Sequence, residues 1–336
     1  MIKIVDKKFD KRKIIYIAKA FAIISIICAH CSHVGDSFQS DNRFISSLIT
    51  SLGSLGVGVF FVLSGYLMGN NTKTFYMFCK TKFVSIIIPW FFSGSLVYLY
   101  VVLRKGGLSF TTWLNFLLGN GSYLWFLTVL IMLYLAFYFF KANTRFLLIS
   151  IMVSIISNLM TSFGLLPISD LHISPYLFVF NWMVFFAIGL LMYKYELLKE
   201  ICIFAKKNLL YLCSIFFVSI IGLAMFDTSL NYFVIYFLPL AFIAMLLITG
   251  ISYLLSFRNS TSLVWIGKES FSIYLLHMPV AGTISNLFNR FDIWWTTPLR
   301  PVIVLVITLI CIMAYKRLIK IFKMERIGNI LIGTRA

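Results

Sequence analysis

The sequence predicts an all-α, polytopic membrane bundle of about ten transmembrane helices with both termini in the cytoplasm. Composition is the first reason: of 336 residues, 61% are apolar and 12% charged, against roughly 45–50% and about 25% in soluble domains. Mean hydropathy is +0.96. The second reason is spacing, because apolar stretches near the roughly 20 residues that cross a bilayer core of about 30 Å recur from end to end. The third is the distribution of Lys and Arg. With the N-terminus inside, alternation puts Lys3, Lys7, Lys8, Lys11, Arg12, Lys13, Lys73, Lys80, Lys82, Lys194, Lys199, Lys206, Lys207 and the C-terminal tail on the cytoplasmic side. Only Arg43, Arg104, Lys105, Arg290 and Arg300 fall opposite, which is the positive-inside pattern.

The spans expected in order are 14–34, 44–69, 83–103, 123–140, 146–164, 176–193, 208–226, 231–256, 270–289 and 300–321. The first follows a basic flank, as a signal peptide would, but no small-residue cleavage site follows a short apolar core and nine spans come after it. The second and eighth exceed what a straight crossing needs and are expected to tilt or break. Strict alternation of the barrel kind is absent, so the spans are helices. No polar stretch is long enough for a soluble domain. Residues 1–336 therefore read as one integral-membrane domain, with 14–321 in the bilayer and 322–336 as a basic cytoplasmic tail.

The net charge of +18 is accounted for by that basic face against membrane lipids, without nucleic acid. The six cysteines show no paired spacing in an exported loop, so no disulfide framework is implied. All eleven acids lie in loops or at segment ends, and none is mid-membrane. Ionisable groups inside a bilayer are costly and mark function by default. The candidates are Lys19, His30, His33 and His277.

Lys19 and His30 share a helix face. At about 100° per residue, eleven positions return the side chain to within roughly 20°, some 16 Å further along the axis. One stripe thus carries a cation near its cytoplasmic end and an imidazole deeper in. Imidazole suits removal of a hydroxyl proton, and lysine suits phosphate, so the stripe suggests group transfer from a phosphate-bearing cytoplasmic donor. The plainer alternatives are snorkelling for Lys19, which its depth permits, and hydrogen-bonded packing for His30. In the stretch CAHCSHV, residues 28–34, a metal reading fails on geometry. Cys28 and His30 stand roughly 160° apart on a regular helix, and four such side chains cannot close on one tetrahedral ion. A His30/His33 pair with ligands from elsewhere stays open; no metal is assigned.

The same spacing, in KAFAIISIICAH (residues 19–30), resembles the first-helix signature of the membrane acyltransferase 3 family, with lysine for the commoner arginine. GVGVFFVLSGYLMG at 56–69, YLWFLTVLIMLYL at 123–135 and WIGKESFSIYLLHMPV at 265–280 resemble its FF-x-x-SG, LWFL and G-x-x-S…YLLH segments, in order. The resemblance implies a ten-helix bundle in the cell membrane, plasma or inner. Its implied activity moves an acyl group, usually acetyl from acetyl-CoA as co-substrate, to a hydroxyl of a carbohydrate or glycolipid. No tightly bound cofactor is implied. His30 would be the catalytic histidine and Lys19 the basic residue at the donor, with Lys80 and Lys82, before IIIPW, as further donor contacts. Two positions depart from the pattern. Tyr16 stands where an acid is frequent, and the LWFL helix offers Thr128 instead of glutamate. His30 therefore lacks a carboxylate to orient it, and Ser64, Tyr66 and Tyr274 are the candidate partners.

Each further residue has a plainer alternative. His277 suits packing as well as support of the site, Trp125 and Tyr123 suit an interfacial belt as well as a pocket, and Gly65 with Gly69 suit close helix packing. His33 is expected on nearly the face of His30, along the acceptor's path. His172, in an outer loop, is assigned nothing. The rival to acyl transfer is a glycan exporter or flippase, disfavoured by the absence of a mid-membrane acid for ion coupling.

Overall fold

A computed structural model describes residues 9–31, 40–166, 174–226, 228–290, 293 and 295–334. The chain runs α1 Lys11–Cys31, α2 Ser40–Gly53, α3 Gly56–Gly69, α4 Phe75–Lys82, α5 Ile88–Lys105, α6 Phe110–Leu118, α7 Trp125–Tyr138 and α8 Thr144–Ser162. It continues with α9 Met183–Lys194, α10 Leu198–Lys207, α11 Leu209–Met225, α12 Phe237–Ser256, α13 Thr261–Lys268, α14 Ser270–Phe288, α15 Thr296–Ile321 and α16 Glu325–Leu331. There is no strand among the described residues. Among the described residues, seven segments are long and apolar enough to cross a membrane, or eight if α10 and α11, bent by 74° at Asn208, form one. The expected fourth and sixth spans appear as α7 and α9, of 14 and 12 residues. At about 1.5 Å per residue these reach roughly 21 and 18 Å, short of a full hydrocarbon core.

Helix α1 is the axis of the bundle. It packs on α2, α3, α12, α13, α14 and α15, and Ile17, Ala20, Ala22 and Ile23 are fully buried. Its alanines and isoleucines bury apolar surface on several sides at once, which leaves few positions for side chains to face a cavity. Lys19 and His30 are two of them.

The second span, expected to tilt or break, breaks at Ser54 and Leu55, between α2 and α3. A break frees carbonyls that must be satisfied within the bundle. Ser25 of α1 donates to the carbonyls of Leu52 (2.6 Å) and Gly53 (3.1 Å), and Ser54 donates to that of Leu230 (2.6 Å). The eighth span shows no such break: α12 is continuous, and residues 231–236 precede it as turns. Between α4 and α5 the chain widens into one π-turn, Phe83–Ile87, just ahead of Pro89. The proline has no N–H and its ring crowds the preceding turn, and the wider turn relieves both.

Helices α3 and α9 meet almost backbone to backbone. A Cβ on Gly65 would lie 2.2 Å from the Phe186 carbonyl oxygen, and one on Gly189 would lie 2.0 Å from that of Val62. Small residues that admit this approach are the usual means of holding membrane helices together. Gly69 faces the Tyr193 ring in the same interface.

Arg300, expected in a loop, is drawn into the fold. Arg300 lies in α15, which begins at Thr296, four residues before the expected span; it is fully buried and donates to the Asn289 side chain at 2.7 Å. In the segment expected as a basic cytoplasmic tail, α16 packs on α15 and α5. Thr334, near its end, is buried. All six cysteines are free thiols.

Candidate active site

Two cavities enter the bundle from opposite ends of α1. The larger, about 1130 Å³, is lined by His30, Thr50, Ser54, Tyr123, Trp125, Tyr232 and the C-terminal half of α14. The smaller, about 680 Å³, is lined by Tyr16, Lys19, Ser64, Lys73, Lys82, Lys268 and the segment around Gly333. Phe126 and Tyr274 line both, so these two rings form the partition between them.

In the larger cavity the His30 side chain is exposed to the open space, whereas the rest of its helix turn is buried or half-buried. The wall opposite is aromatic. The Trp125 ring lies tilted 4.8 Å from that of Trp182 and 5.2 Å from that of Tyr176, and Tyr232 stands 6.0 Å from Trp125. Trp125 reaches this wall through the turn after α6. Gly119 there has φ +86°, and a Cβ on it would lie 2.2 Å from the backbone of Trp125. Only glycine combines that left-handed conformation with such an approach. Tyr123 and Trp125 thus belong to the pocket.

Behind His30 stands His277, with ring centroids 5.3 Å apart. His277 is fully buried and does not line the cavity. Its Nδ1 lies 2.8 Å from the Tyr274 carbonyl oxygen and 3.2 Å from that of Ile273. Two residues later Pro279 interrupts the ladder of α14. Proline removes the donor that would serve the carbonyl four residues back. That carbonyl, of Leu275, accepts instead from the Tyr123 hydroxyl at 2.8 Å, and the Tyr274 hydroxyl donates in return to the Tyr123 carbonyl.

In the smaller cavity, Lys82 sits over the Tyr134 ring at 3.5 Å and the Phe78 ring at 5.4 Å. Lys268 lies over Tyr16 at 5.7 Å. Lys73 donates to Thr81 at 2.9 Å. Glu269, also on this wall, is buried and paired with Lys316 at 2.6 Å. Beside the mouth, Lys141 donates to the Asn71 carbonyl, and burial lowers its pKa.

The cavities therefore sort the residues expected from the sequence. His30, Trp125 and Tyr274 converge on the larger, and Lys19, Lys82 and Ser64 on the smaller. Lys80 is exposed outside the cavity. Two positions separate it from Lys82, roughly 200° around a helix, so only one of the pair faces inward. Tyr66 is buried away from both cavities, against Tyr193 at 5.8 Å. Of the three partners expected for His30, Ser64 lies in the other cavity, Tyr66 lies in neither, and the Tyr274 hydroxyl is engaged with Tyr123. Thr128 donates to the Leu118 carbonyl. His33 and His172 lie outside the described residues, and with His33 the open metal alternative. Lys73 and Lys268 carry no spacing signal in the sequence; they are brought to Lys19 by packing alone.

The family model for the acyltransferase 3 domain, described as an acyltransferase domain, matches residues 13–317. The chain belongs to the membrane acyltransferase 3 family. The match runs from α1 to α15 and includes Lys19, His30 and Lys82 of the two cavities, and His277 behind His30. No curated protein and no solved structure matches the chain. It is a multi-pass membrane protein of an acyltransferase family.

Proposed function

We propose that this acyltransferase takes an acyl group, acetyl in the first instance, from a coenzyme A thioester in the smaller cavity and transfers it to a hydroxyl of a carbohydrate or glycolipid in the larger one. The observation that carries the reading is the pair of opposed cavities, one lined by lysines and one by His30, meeting at Phe126 and Tyr274. Lys19, Lys73, Lys82 and Lys268 supply point charges for the pyrophosphate and ribose phosphate of the donor. Lys80 stays outside this set and serves as a positive-inside anchor. The lysine-lined end is cytoplasmic, both termini lie on that side, and the protein resides in the cell membrane. Ten crossings result if α7 and α9 count as short spans and α10 lies along the interface before α11.

In the reaction, His30 accepts the proton of the acceptor hydroxyl as its oxygen attacks the thioester carbonyl. The C–S bond then breaks, and the thiolate leaves with the proton that His30 has taken. Tyr176, Trp125 and Tyr232 offer apolar faces and polar edges to a sugar ring. The test is transfer of labelled acetyl from acetyl-CoA to glycan by the purified protein in liposomes. His30→Ala is expected to leave less than about 1% of the transfer rate while inserting normally. Normal acylation by this variant overturns His30 as base. No donor consumption by the unaltered protein, with glycan movement intact, favours an exporter instead.

A further inference from the structure

The geometry points to His277 as the positioning residue that fixes the tautomer of His30 and takes the place of the missing carboxylate. The inference rests on His30 being the base. Carbonyl oxygens only accept, so the contacts of His277 Nδ1 with the carbonyls of Ile273 and Tyr274 require a proton on Nδ1. A neutral His277 then carries its lone pair on Nε2. That atom is buried and makes no hydrogen bond among the described residues, an arrangement that costs about 1–3 kcal/mol unless something supplies a donor. The neighbouring ring is His30. A 5.3 Å separation of centroids leaves roughly 3 Å between facing nitrogens, which is hydrogen-bond range after a small ring rotation.

His30 donates its N–H to His277 Nε2, and this fixes which His30 nitrogen keeps the lone pair toward the cavity. As that nitrogen takes the hydroxyl proton, the N–H directed at His277 becomes part of an imidazolium and its bond strengthens. An orienting carboxylate acts on a catalytic histidine in the same way. His277 touches neither substrate and lies on the side of His30 away from the cavity. Its own orientation is held by α14, where the partition residue Tyr274 sits one turn earlier.

The test compares His277→Leu with His277→Gln in the full chain, with turnover expressed per mole of monodisperse, folded protein. Leucine keeps bulk but removes the acceptor, and is expected to lower kcat roughly 10- to 100-fold with KM for acyl-CoA unchanged. Glutamine offers an amide N–H to the helix carbonyls and an oxygen to His30, and is expected to restore kcat to within about threefold of the unaltered protein. In a His30→Ala background, His277→Leu should cost nothing further, because groups acting as a unit are not additive. Wild-type kcat in His277→Leu, equal losses in the two variants, or an additive double mutant would overturn the role. If the unaltered protein transfers no acyl group, the functional reading itself fails. If it transfers, and His30→Ala is inactive while His277→Leu turns over normally, only the positioning role fails.

Discussion

A single side chain in this bundle is assigned by what it faces. Lys80 and Lys82 illustrate this, because two positions on one helix separate a solvent anchor from a cavity cation. Lys82 lies 3.5 Å over the Tyr134 ring in the cavity wall, a placement that holds its charge in the cavity proposed for the donor. Lys82→Ala is therefore expected to raise KM for acyl-CoA about tenfold, the worth of roughly 1.4 kcal/mol. Lys80→Ala should change it less than about twofold, as an exposed charge does. Steady-state kinetics on the two variants, side by side, decides the point; equal effects would remove Lys82 from the donor site. His30 and His277 show the same dependence on surroundings, one ring exposed to the cavity and the other sealed behind it.

Elements here are shaped by where a backbone group must be satisfied or a neighbour must come close. The α2–α3 break is closed by serine hydroxyls, the π-turn precedes Pro89, and the interruption at Pro279 is closed by Tyr123. Each irregularity lies beside a cavity: Ser54 on the larger, Val84 to Ile86 on the smaller, and Tyr274 between them. One such close contact is α3 against α9, where Gly189 has no room for a methyl group. Gly189→Ala should push these helices apart and cost about 2–4 kcal/mol, more than an overpacked site with flexible neighbours, because the obstacle is backbone. Thermal unfolding of the detergent-solubilised protein measures it. Gly222→Ala, with open space around the position, is the control and should change little.

The whole molecule separates its two cavities by two aromatic rings on α7 and α14. Under the proposed function, the role of such a partition is to keep water in the larger cavity away from the thioester until an acceptor is in place. Tyr274→Ala removes one ring and also the hydroxyl bonded to the Tyr123 carbonyl. Hydrolysis of acyl-CoA without acceptor should rise about tenfold relative to transfer, since exclusion of water is what the ring contributes. An unchanged ratio of hydrolysis to transfer in this variant would show that the barrier to water lies elsewhere.

The sequence by itself determined the helical class, the membrane setting and the common face of Lys19 and His30, and for the second and eighth spans it gave only the choice of a tilt or a break. Length, apolar content and the angle between residues of one helix are local properties, readable wherever the backbone is regular. It also carried the family, through four short segments spread along the chain. Tertiary structure alone decided that His277 stands behind His30, that Lys73 and Lys268 join Lys19, and that Tyr66 has no place in either cavity. Those relations join helices distant in the chain, and helix packing, not periodicity, sets which faces meet. Helices α7 and α9 are shorter than the expected spans for a related reason: apolar residues flanking them continue the hydrophobic signal through turns, outside the helix itself.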